Sequence, residues 1–305
     1  EDRANCLEKA ADLLMQDQVK FMDLCIREAG KTWQDAVDEI REAVDFLRYY
    51  AQQSRITLAE QECEGPTGEE NIWRPVGRGV ILCLSPWNFP LAIFIGQVSA
   101  ALAAGNTVLA KPSSQTAIIA HQMLALLHQA GVPKDVCQLL PGGHKIVGSP
   151  LVADPRIKGV MLTGSTNTAK TIAINLAQRP GPIVPFIAET GGQNAMIIDS
   201  SALLEQSVLD VVESAFKSAG QRCSACRVLF LQEDIADEFI EMLAGSMAEL
   251  VIGDPSQLST DVGPVIDEKS KQSLNQHLDF LDNIGAKLIF ECNLPKNIPT
   301  GSFFA

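Results

Sequence analysis

The feature that most constrains this chain is an alternation of short apolar runs with helical segments between residues 79 and 188. Five of these runs have the length and composition of buried strands, and they occupy residues 79–84, 106–110, 136–140, 159–162 and 184–188. Helical segments separate several of them, at residues 90–104, 116–130 and 166–178. Short strands that alternate with helices favour a parallel sheet covered by helices. The sequence therefore predicts an α/β fold built on a doubly wound, mostly parallel, Rossmann-like sheet.

The regions on either side of this alternation predict further elements. Residues 1–53 carry apolar side chains at helical spacing, which indicates two or three helices with a break near Gly30. Residues 57–78 are polar and predict a loop with at most one strand. A second α/β set follows residue 192, with strands at residues 195–199, 227–232 and 286–291 and helices at residues 202–218, 235–250 and 269–284.

The length of 305 residues suits two domains, on a prior of about 150 residues for each. We expect N-terminal helices and a nucleotide-binding domain within residues 1–190. Residues 191–305 are expected to form a second, incomplete α/β catalytic domain. The sequence is helical from its first residues and stops after two phenylalanines, so we expect a fragment of a longer parent protein, cut within the catalytic domain.

Composition excludes several classes of function. The formal net charge of −13 argues against nucleic-acid binding through this segment, because such surfaces are basic. The sequence has no run of 18 apolar residues, so we expect no membrane span. Eight cysteines at irregular spacing in a long chain are typical of a reducing compartment, which favours the cytoplasm over a disulfide framework.

Polar or glycine-containing motifs follow each of the five predicted strands: SPWNFP, KPSSQT, PGGH, TGST and ETGG. Ligands of doubly wound sheets bind outside the carboxyl ends of the strands, so these motifs predict a cofactor site at one edge. The sequence lacks GxGxxG, and no standard dinucleotide fingerprint supports the prediction.

Two of these motifs offer groups for a dinucleotide. Gly164 would let backbone amides approach a phosphate at a helix N-terminus, and Ser165 would donate a hydroxyl hydrogen bond. The alternative for Ser165 is an ordinary helix N-cap. Lys111 follows a strand and is placed for ribose hydroxyls or a phosphate, with a solvated lysine as the alternative. Asn88 lies between Trp87 and a second aromatic residue, where it is either an oxyanion-hole donor or a turn residue.

Glu189 and Cys223 together suit acyl chemistry. A thiolate attacks a carbonyl carbon, and a carboxylate activates the water that releases the product. Arg222 is expected to favour the thiolate of its neighbour. Cys226 completes a CxxC with Cys223, but the sequence has no second pair and no nearby histidine, which argues against zinc. A redox dithiol and a small buried Cys226 are the alternatives.

Five separated motifs resemble the aldehyde dehydrogenase superfamily in their order and spacing: SPWNFP, KPSSQT, LTGST, ETGGQNA and SAGQRCSA. The resemblance covers essentially the whole chain and implies the aldehyde dehydrogenase fold. The phrases IAETGGQNAMIIDSSAL and SAFKSAGQRCSACRVLFLQ are most similar to the 1-pyrroline-5-carboxylate dehydrogenase domain of bifunctional proline utilisation A enzymes.

The resemblance implies a role for each candidate residue. Cys223 is implied as the nucleophile and Glu189 as the general base, and the Asn88 side chain with the backbone NH of Cys223 forms the oxyanion hole. The implied substrate is L-glutamate γ-semialdehyde, with Ser224 near its carboxylate. The implied cofactor residues are Trp87, Lys111, Ser114, Gly164, Ser165 and Gly191. No metal is implied.

The sequence departs from the family pattern at three points. The implied cofactor is NAD, but many NAD-preferring relatives have Glu where this chain has Ser114. Serine carries no charge that would repel a 2′-phosphate, so NADP use is not excluded. His144 stands where relatives often have Gly, near the expected adenine pocket. The nicotinamide-ribose motif, the substrate anchor and the oligomerisation strand of the family are not found in this sequence, so we expect this fragment to be weakly active or inactive.

Other parts are expected only in the longer parent protein. FAD would belong to a proline dehydrogenase domain that this chain does not include, and a homo-oligomer is expected of the parent. Three alternatives stay open at this point. They are another aldehyde substrate, a non-catalytic nucleotide-binding fragment, and a thiol hydrolase that never uses NAD.

Overall fold

The computed structural model describes residues 1–294 and 301–304. The chain divides into two compact units. The first unit contains Glu1–Glu28 and Val37–Thr190, and the second contains Ala29–Ala36 and Gly191–Ala305. A short N-terminal segment therefore belongs to the second unit, although the residues on both sides of it belong to the first.

The N-terminal region is helical, as the apolar spacing predicted. Its helices are α1 (Asp2–Gln16), α2 (Gln18–Ala29) and α3 (Trp33–Thr57), with Gly30 in the left-handed region between the last two. Two short antiparallel strands follow, β1 (Gln61–Cys63) and β2 (Asn71–Trp73). The sequence had predicted at most one strand here. Three-residue strands are too short to show an alternating apolar pattern, which explains the difference.

The first unit is built on a five-stranded sheet in which every pairing is parallel. Its strands are β3 (Val80–Leu84), β4 (Thr107–Lys111), β5 (Cys137–Leu139), β6 (Ile157–Gly164) and β7 (Phe186–Thr190). Their order across the sheet is β5-β4-β3-β6-β7. The order reverses direction between β3 and β6, which is the position where doubly wound sheets open a ligand crevice at their carboxyl edge. The predicted fold class is confirmed.

Four helices connect these strands: α4 (Ala92–Ala103), α5 (Ala117–Ala130), α6 (Ser149–Ala153) and α7 (Thr166–Gln178). Leu82 and Leu84 point to one face of β3, where they pack with residues of α6 and α7 such as Val152 and Ile172. Each fully buried aliphatic side chain of this kind contributes about 1.5–3 kcal/mol. The helix α4 is buried on nearly all sides, which its largely apolar sequence requires.

The second unit contains a smaller α/β set. Its elements are β8 (Asn194–Ile198), α8 (Leu204–Phe216), β9 (Cys226–Leu231), α9 (Glu233–Ala248) and α10 (Glu268–Asn283). The strands β8 and β9 pair in parallel, and Ile198 packs with Val208, Val211 and Phe239 of the two flanking helices. These elements lie within a few residues of the predicted ones.

The predicted strand at residues 286–291 is wrong. Residues 286–291 adopt no regular structure, and Leu288 and Ile289 remain more than half exposed. An apolar run forms a strand only when a neighbouring strand accepts its backbone hydrogen bonds. Within the described part of the chain, no strand pairs with this run. No described helix is long and apolar enough to cross a membrane.

Candidate active site

A cavity of about 230 Å³ opens in the first unit at the carboxyl ends of β3, β4 and β6. Lys111 ends β4 and Gly164 ends β6, and both line the cavity wall together with Ser85 and His144. The cavity lies beside the point where the strand order reverses. Among the described cofactor candidates, Trp87, Ser114 and Ser165 are not part of its lining.

Lys111 reaches this cavity with a half-buried side chain whose ammonium donates a hydrogen bond to Pro112 O at 3.0 Å. Burial lowers the pKa of Lys111, because the low-dielectric surroundings disfavour the charged form. The cavity also depends on Gly148. A Cβ atom there would lie 3.1 Å from His144 Nδ1 and 3.7 Å from Lys111 Cε, so any side chain at 148 would enter the space between them.

Ser165 forms the N-cap of α7. Its Oγ accepts a hydrogen bond from Thr168 N at 3.2 Å and lies 2.9 Å from Thr168 Oγ1. The capping alternative is therefore realised in this structure. Capping by Ser165 does not exclude anion binding, because the Oγ atom that caps the helix also faces solvent. The first-turn N–H groups of the helix attract negative charge as well. Ser165 is exposed.

A buried polar group beside the crevice was not among the predicted site residues. Gln97 of α4 donates hydrogen bonds from Nε2 to Leu84 O at 3.3 Å and to Thr163 Oγ1 at 3.1 Å. Its Oε1 is buried and makes no hydrogen bond with the described residues, and the same holds for Ser85 Oγ. The signal available in the sequence was a single amide in a helix whose other residues, apart from Ser99, are apolar or glycine. Buried polar atoms without partners are uncommon and often mark functional sites.

Glu189 lies next to last in β7, opposite Thr163 in the parallel ladder with β6. Its side chain is exposed. This register puts the carboxylate at the same edge of the sheet as the crevice. Asn88 also belongs to the first unit and is partly buried in the turn after β3, with Trp87 beside it.

Cys223 belongs to the second unit and lies in an exposed loop between α8 and β9. Asn194 fixes this loop, because its Nδ2 donates hydrogen bonds to Cys223 O at 2.6 Å and to Ala225 O at 3.0 Å. Ser224 is exposed beside the thiol. Gly191, expected near the nicotinamide, is exposed and lies three residues before Asn194, the first residue of β8.

The loop is anchored by Arg222 in a way the sequence did not suggest. The guanidinium donates hydrogen bonds to Glu213 O at 2.7 Å and Ser214 O at 3.1 Å, which are carbonyls in the last turn of α8. A cation at a helix C-terminus is favourable because it meets the negative end of the dipole. The side chain therefore serves the helix end, and its predicted effect on the Cys223 thiolate stays a prediction.

The other cysteines narrow the choice of nucleophile. Only Cys63 and Cys223 are exposed among the eight free thiols. Burial raises the pKa of Cys137 to about 12 and raises that of Cys83 further, so both stay protonated and unreactive at neutral pH. Cys226 is buried as a small core side chain. Within the described residues no group of three or more His, Cys, Asp or Glu side chains is arranged to hold a metal ion.

A family profile described as "Aldehyde dehydrogenase family" matches residues 1–305. The chain belongs to the aldehyde dehydrogenase family. This aldehyde dehydrogenase chain is 54% identical over 282 residues to the bifunctional protein PutA of Salmonella typhimurium, covering 91% of the chain and 20% of that protein. It is 36% identical over 288 residues to a 1-pyrroline-5-carboxylate dehydrogenase of Geobacillus sp., covering 92% of the chain and 55% of that protein.

A crystal structure of a Bradyrhizobium japonicum proline utilization A mutant superposes on the aldehyde dehydrogenase chain with a TM-score of 0.94 and 54% sequence identity. The match covers 100% of this chain and 31% of that one. The aldehyde dehydrogenase chain thus spans between about a fifth and about half of the length of these proteins. The predicted resemblance is confirmed at the level of family and fold.

Proposed function

We propose that this chain is the part of an NAD(P)-dependent dehydrogenase that holds the cofactor and the nucleophile, acting on L-glutamate γ-semialdehyde. The product is L-glutamate, and the reaction belongs to proline catabolism. Cys223 carries the proposal, because it is an exposed thiol in a loop fixed by Asn194, within an aldehyde dehydrogenase chain. The names of the PutA and 1-pyrroline-5-carboxylate dehydrogenase relatives support this substrate, whose cyclic imine is 1-pyrroline-5-carboxylate.

The first half of the reaction is assigned to Cys223 and Asn88. The thiolate attacks the aldehyde carbon, and a C–S bond forms while the carbonyl π electrons move to oxygen. The Asn88 side-chain amide and the Cys223 backbone NH stabilise this oxyanion. A nicotinamide, when bound, would accept the hydride that this carbon loses. Cys223 would then hold the acyl group as a thioester.

The second half is assigned to Glu189. Its carboxylate takes a proton from a water molecule as the water oxygen attacks the thioester carbonyl. The C–S bond then breaks, which releases glutamate and returns the Cys223 thiolate. Ser224 is proposed to hold the substrate carboxylate through its hydroxyl. The exposure of Glu189 and of Cys223 supports these roles, since both groups must meet solvent water and substrate.

The crevice of the first unit fits part of a dinucleotide. Lys111 offers a donor, α7 offers its first-turn N–H groups near Gly164 and Ser165, and Ser85 Oγ is a buried hydroxyl without a partner among the described residues. At about 230 Å³ the cavity is below the roughly 300–1,000 Å³ typical of whole ligand sites. It would therefore enclose one portion of the cofactor, with Trp87 and Gly191 contacting other portions.

NAD is the proposed cofactor and NADP the alternative. Ser114 is exposed at the start of a short 3-10 turn after β4, and its side chain carries no charge. A carboxylate at this position would repel a 2′-phosphate, whereas serine does not. Titration of the chain with each cofactor in turn decides between them.

The test of the function is formation of reduced nicotinamide with glutamate semialdehyde, measured on this chain and on the longest natural protein that contains it. We expect activity in the longer protein and little or none in this chain. Cys223→Ala should abolish turnover, while Cys63→Ala, which removes the other exposed thiol, should leave it unchanged. Full activity of the Cys223→Ala protein would show that Cys223 is not the nucleophile.

A second candidate is a nucleotide-binding fragment without turnover. The observation in its favour is that the chain spans only 20–55% of its curated relatives. Isothermal titration of NAD into the chain, combined with the turnover assay, separates the two candidates. Binding with no turnover in either protein favours the second candidate.

We also propose a reducing, cytoplasmic environment and a homo-oligomeric longer protein. All eight cysteines are free thiols, which suits a reducing compartment. Reaction of the freshly isolated protein with a thiol reagent under denaturing conditions should find eight free thiols. Light scattering of the longer protein tests its oligomeric state.

A further inference from the structure

The segment Ala29–Ala36 belongs to the second unit and is tightly packed within it. Gly30 has φ +66°, and a Cβ atom there would lie 2.9 Å from Pro264 Cγ. A Cβ atom at Gly263 would lie 2.3 Å from Gly30 O, so the two backbones meet at a distance that only glycine permits. Trp33 Nε1 donates to Ser256 O at 2.9 Å, which fixes the end of the segment.

Lys31 is the buried cation of this segment. It is 4% exposed, and its Nζ donates a hydrogen bond to Ser218 Oγ at 3.1 Å. Ser218 is itself only 8% exposed. A buried ammonium is costly unless hydrogen bonds compensate it, so a lysine at this position indicates a specific use of its donors.

The residue that Lys31 binds begins a strained turn. Ser218 and Ala219 have φ values of 56° and 54°, and Gly220 follows with φ 67°. For a residue with a Cβ atom, the left-handed conformation costs roughly 1–2 kcal/mol. Such residues persist only where the surrounding structure holds them, and they occur often at active sites. Cys223 follows the turn after two residues.

The far side of the same turn is held by other side chains. Gln221 Nε2 donates to Ser218 O at 3.1 Å, and its Oε1 accepts from Ile266 N at 2.8 Å. Arg227 donates to Gly220 O at 2.6 Å. The hydroxyl of Ser218 is the part of the turn that faces Lys31, so this bond holds the side chain while the others hold the backbone.

We propose that Lys31 is a positioning residue for the Cys223 nucleophile. Its ammonium holds the Ser218 hydroxyl, this contact keeps the left-handed turn in place, and the turn sets where the following residues present the thiol. Small displacements matter here, because an error of about 1 Å in a reacting group can cost roughly 100-fold in rate. The inference rests on the proposed function of Cys223 and adds to it a residue nearly two hundred positions away in the chain.

The test compares Lys31→Met, which removes the charge and its donors, with Lys269→Met, which removes an exposed lysine of α10 in the same unit. Amide hydrogen exchange is measured on this chain, well below the midpoint of thermal unfolding of each variant. Lys31→Met should speed exchange at least 10-fold in the peptide covering residues 217–223 and leave α9 unchanged. In the longest natural protein containing the chain, kcat should fall at least 10-fold while KM for NAD changes less than 2-fold.

A purely structural role predicts a different pattern. Amide exchange would then rise in α8 and α9 as much as in the turn, and this pattern would overturn the proposal. The proposal would also be overturned if Lys31→Met matched Lys269→Met in both exchange and kcat. Should Lys31→Met fail to fold, Ser218→Ala decides, because it removes only the acceptor and should produce the same local exchange with a smaller loss of kcat. An unchanged turn in Ser218→Ala would also overturn it.

The two proposals fail in distinguishable ways. If Cys223→Ala keeps its turnover, the proposed function is wrong whatever Lys31 does. If Cys223→Ala is inactive but Lys31→Met keeps full kcat and normal exchange in the turn, only the positioning role is wrong.

Discussion

Gln97 Nε2 lies 3.1 Å from Thr163 Oγ1, and this hydrogen bond joins α4 to the carboxyl end of β6 beside the crevice. The same amide nitrogen reaches Leu84 O, the last carbonyl of β3. One side chain therefore links the ends of the two strands between which the sheet order reverses. Its Oε1 has no hydrogen-bond partner among the described residues, which makes the group costly as well as useful.

Replacement of Gln97 tests this balance. Gln97→Leu removes two hydrogen bonds and one unsatisfied oxygen together, so the free energy of unfolding should change by less than about 1.5 kcal/mol. Gln97→Glu buries an ionised carboxylate near Leu84 O and should cost more than about 3 kcal/mol at neutral pH. This loss should shrink in acid, as the carboxyl takes up a proton. Urea unfolding at pH 7 and pH 5 measures both effects, and equal losses in the two variants would contradict them.

The helices and the five parallel strands could be predicted because their signals are local. Apolar runs bounded by glycine and proline identify β3 and β4, and Gly131 in the left-handed region ends α5 where the sequence placed it. The strand predicted at residues 286–291 would have needed a partner strand. A local sequence pattern does not show whether such a partner is available. The link from Gln97 to Thr163 spans 66 positions and also lies outside any local signal.

The candidate site was predictable only in its residue types. A thiol, a carboxylate, an amide and a lysine could be chosen from motifs, since each chemistry requires those groups. The bond between Lys31 and Ser218 could not, because 187 positions separate the two residues. The same holds for the left-handed turn, since Ser218 and Ala219 are residue types that seldom adopt positive φ.

Ser165 allows its two roles to be separated by substitution. Ser165→Ala loses the N-cap of α7 and should lower the free energy of unfolding by about 1 kcal/mol and also weaken NAD binding. Ser165→Asp keeps a capping oxygen and adds a charge that suits the helix N-terminus, so its stability should equal or exceed that of the unmodified chain. The same charge would repel a phosphate, and NAD binding should be lost. Thermal unfolding and isothermal titration measure the pair, and retained binding in Ser165→Asp would contradict the phosphate role.

The half-buried side chain of Lys111 predicts that the free energy of unfolding and the affinity for NAD both depend on pH. Burial lowers its pKa in the folded chain below the ordinary value of 10.5, so in the window between these two values the unfolded chain binds more protons than the folded one. Stability relative to a Lys111→Met variant should therefore rise with pH through that alkaline window. The affinity for NAD should fall over the same range as the ammonium loses its charge. Unfolding and titration between pH 8 and roughly pH 10.5 test both, with Lys170→Met as an exposed control.

The cysteines predict an order of alkylation. Iodoacetamide should modify Cys63 and Cys223 first in the folded chain, because only these two thiols are exposed. Cys83 and Cys137 should react only after unfolding, since burial both shields them and raises their pKa. Peptide mass spectrometry after short exposure at pH 8 reports each site. Rapid modification of Cys83 would show that the sheet of the first unit opens readily.

The left-handed turn before Cys223 predicts that glycine substitutions at two nearby alanines have opposite effects on stability. The substitution at Ala219 should stabilise the chain, and the one at Ala215 should destabilise it. Ala219→Gly removes a Cβ atom from a left-handed residue and relieves roughly 1–2 kcal/mol of strain, against a loss of about 0.5–1 kcal/mol for the greater freedom of glycine in the unfolded chain. The net gain should be about 0.5–1 kcal/mol. Ala215→Gly makes the same chemical change within α8 and should cost about 1 kcal/mol, because its residue is helical. Chemical unfolding of both variants measures the difference of sign. Two losses of similar size would show that Ala219 is not strained, and the need for Lys31 to hold the turn would lose its physical basis.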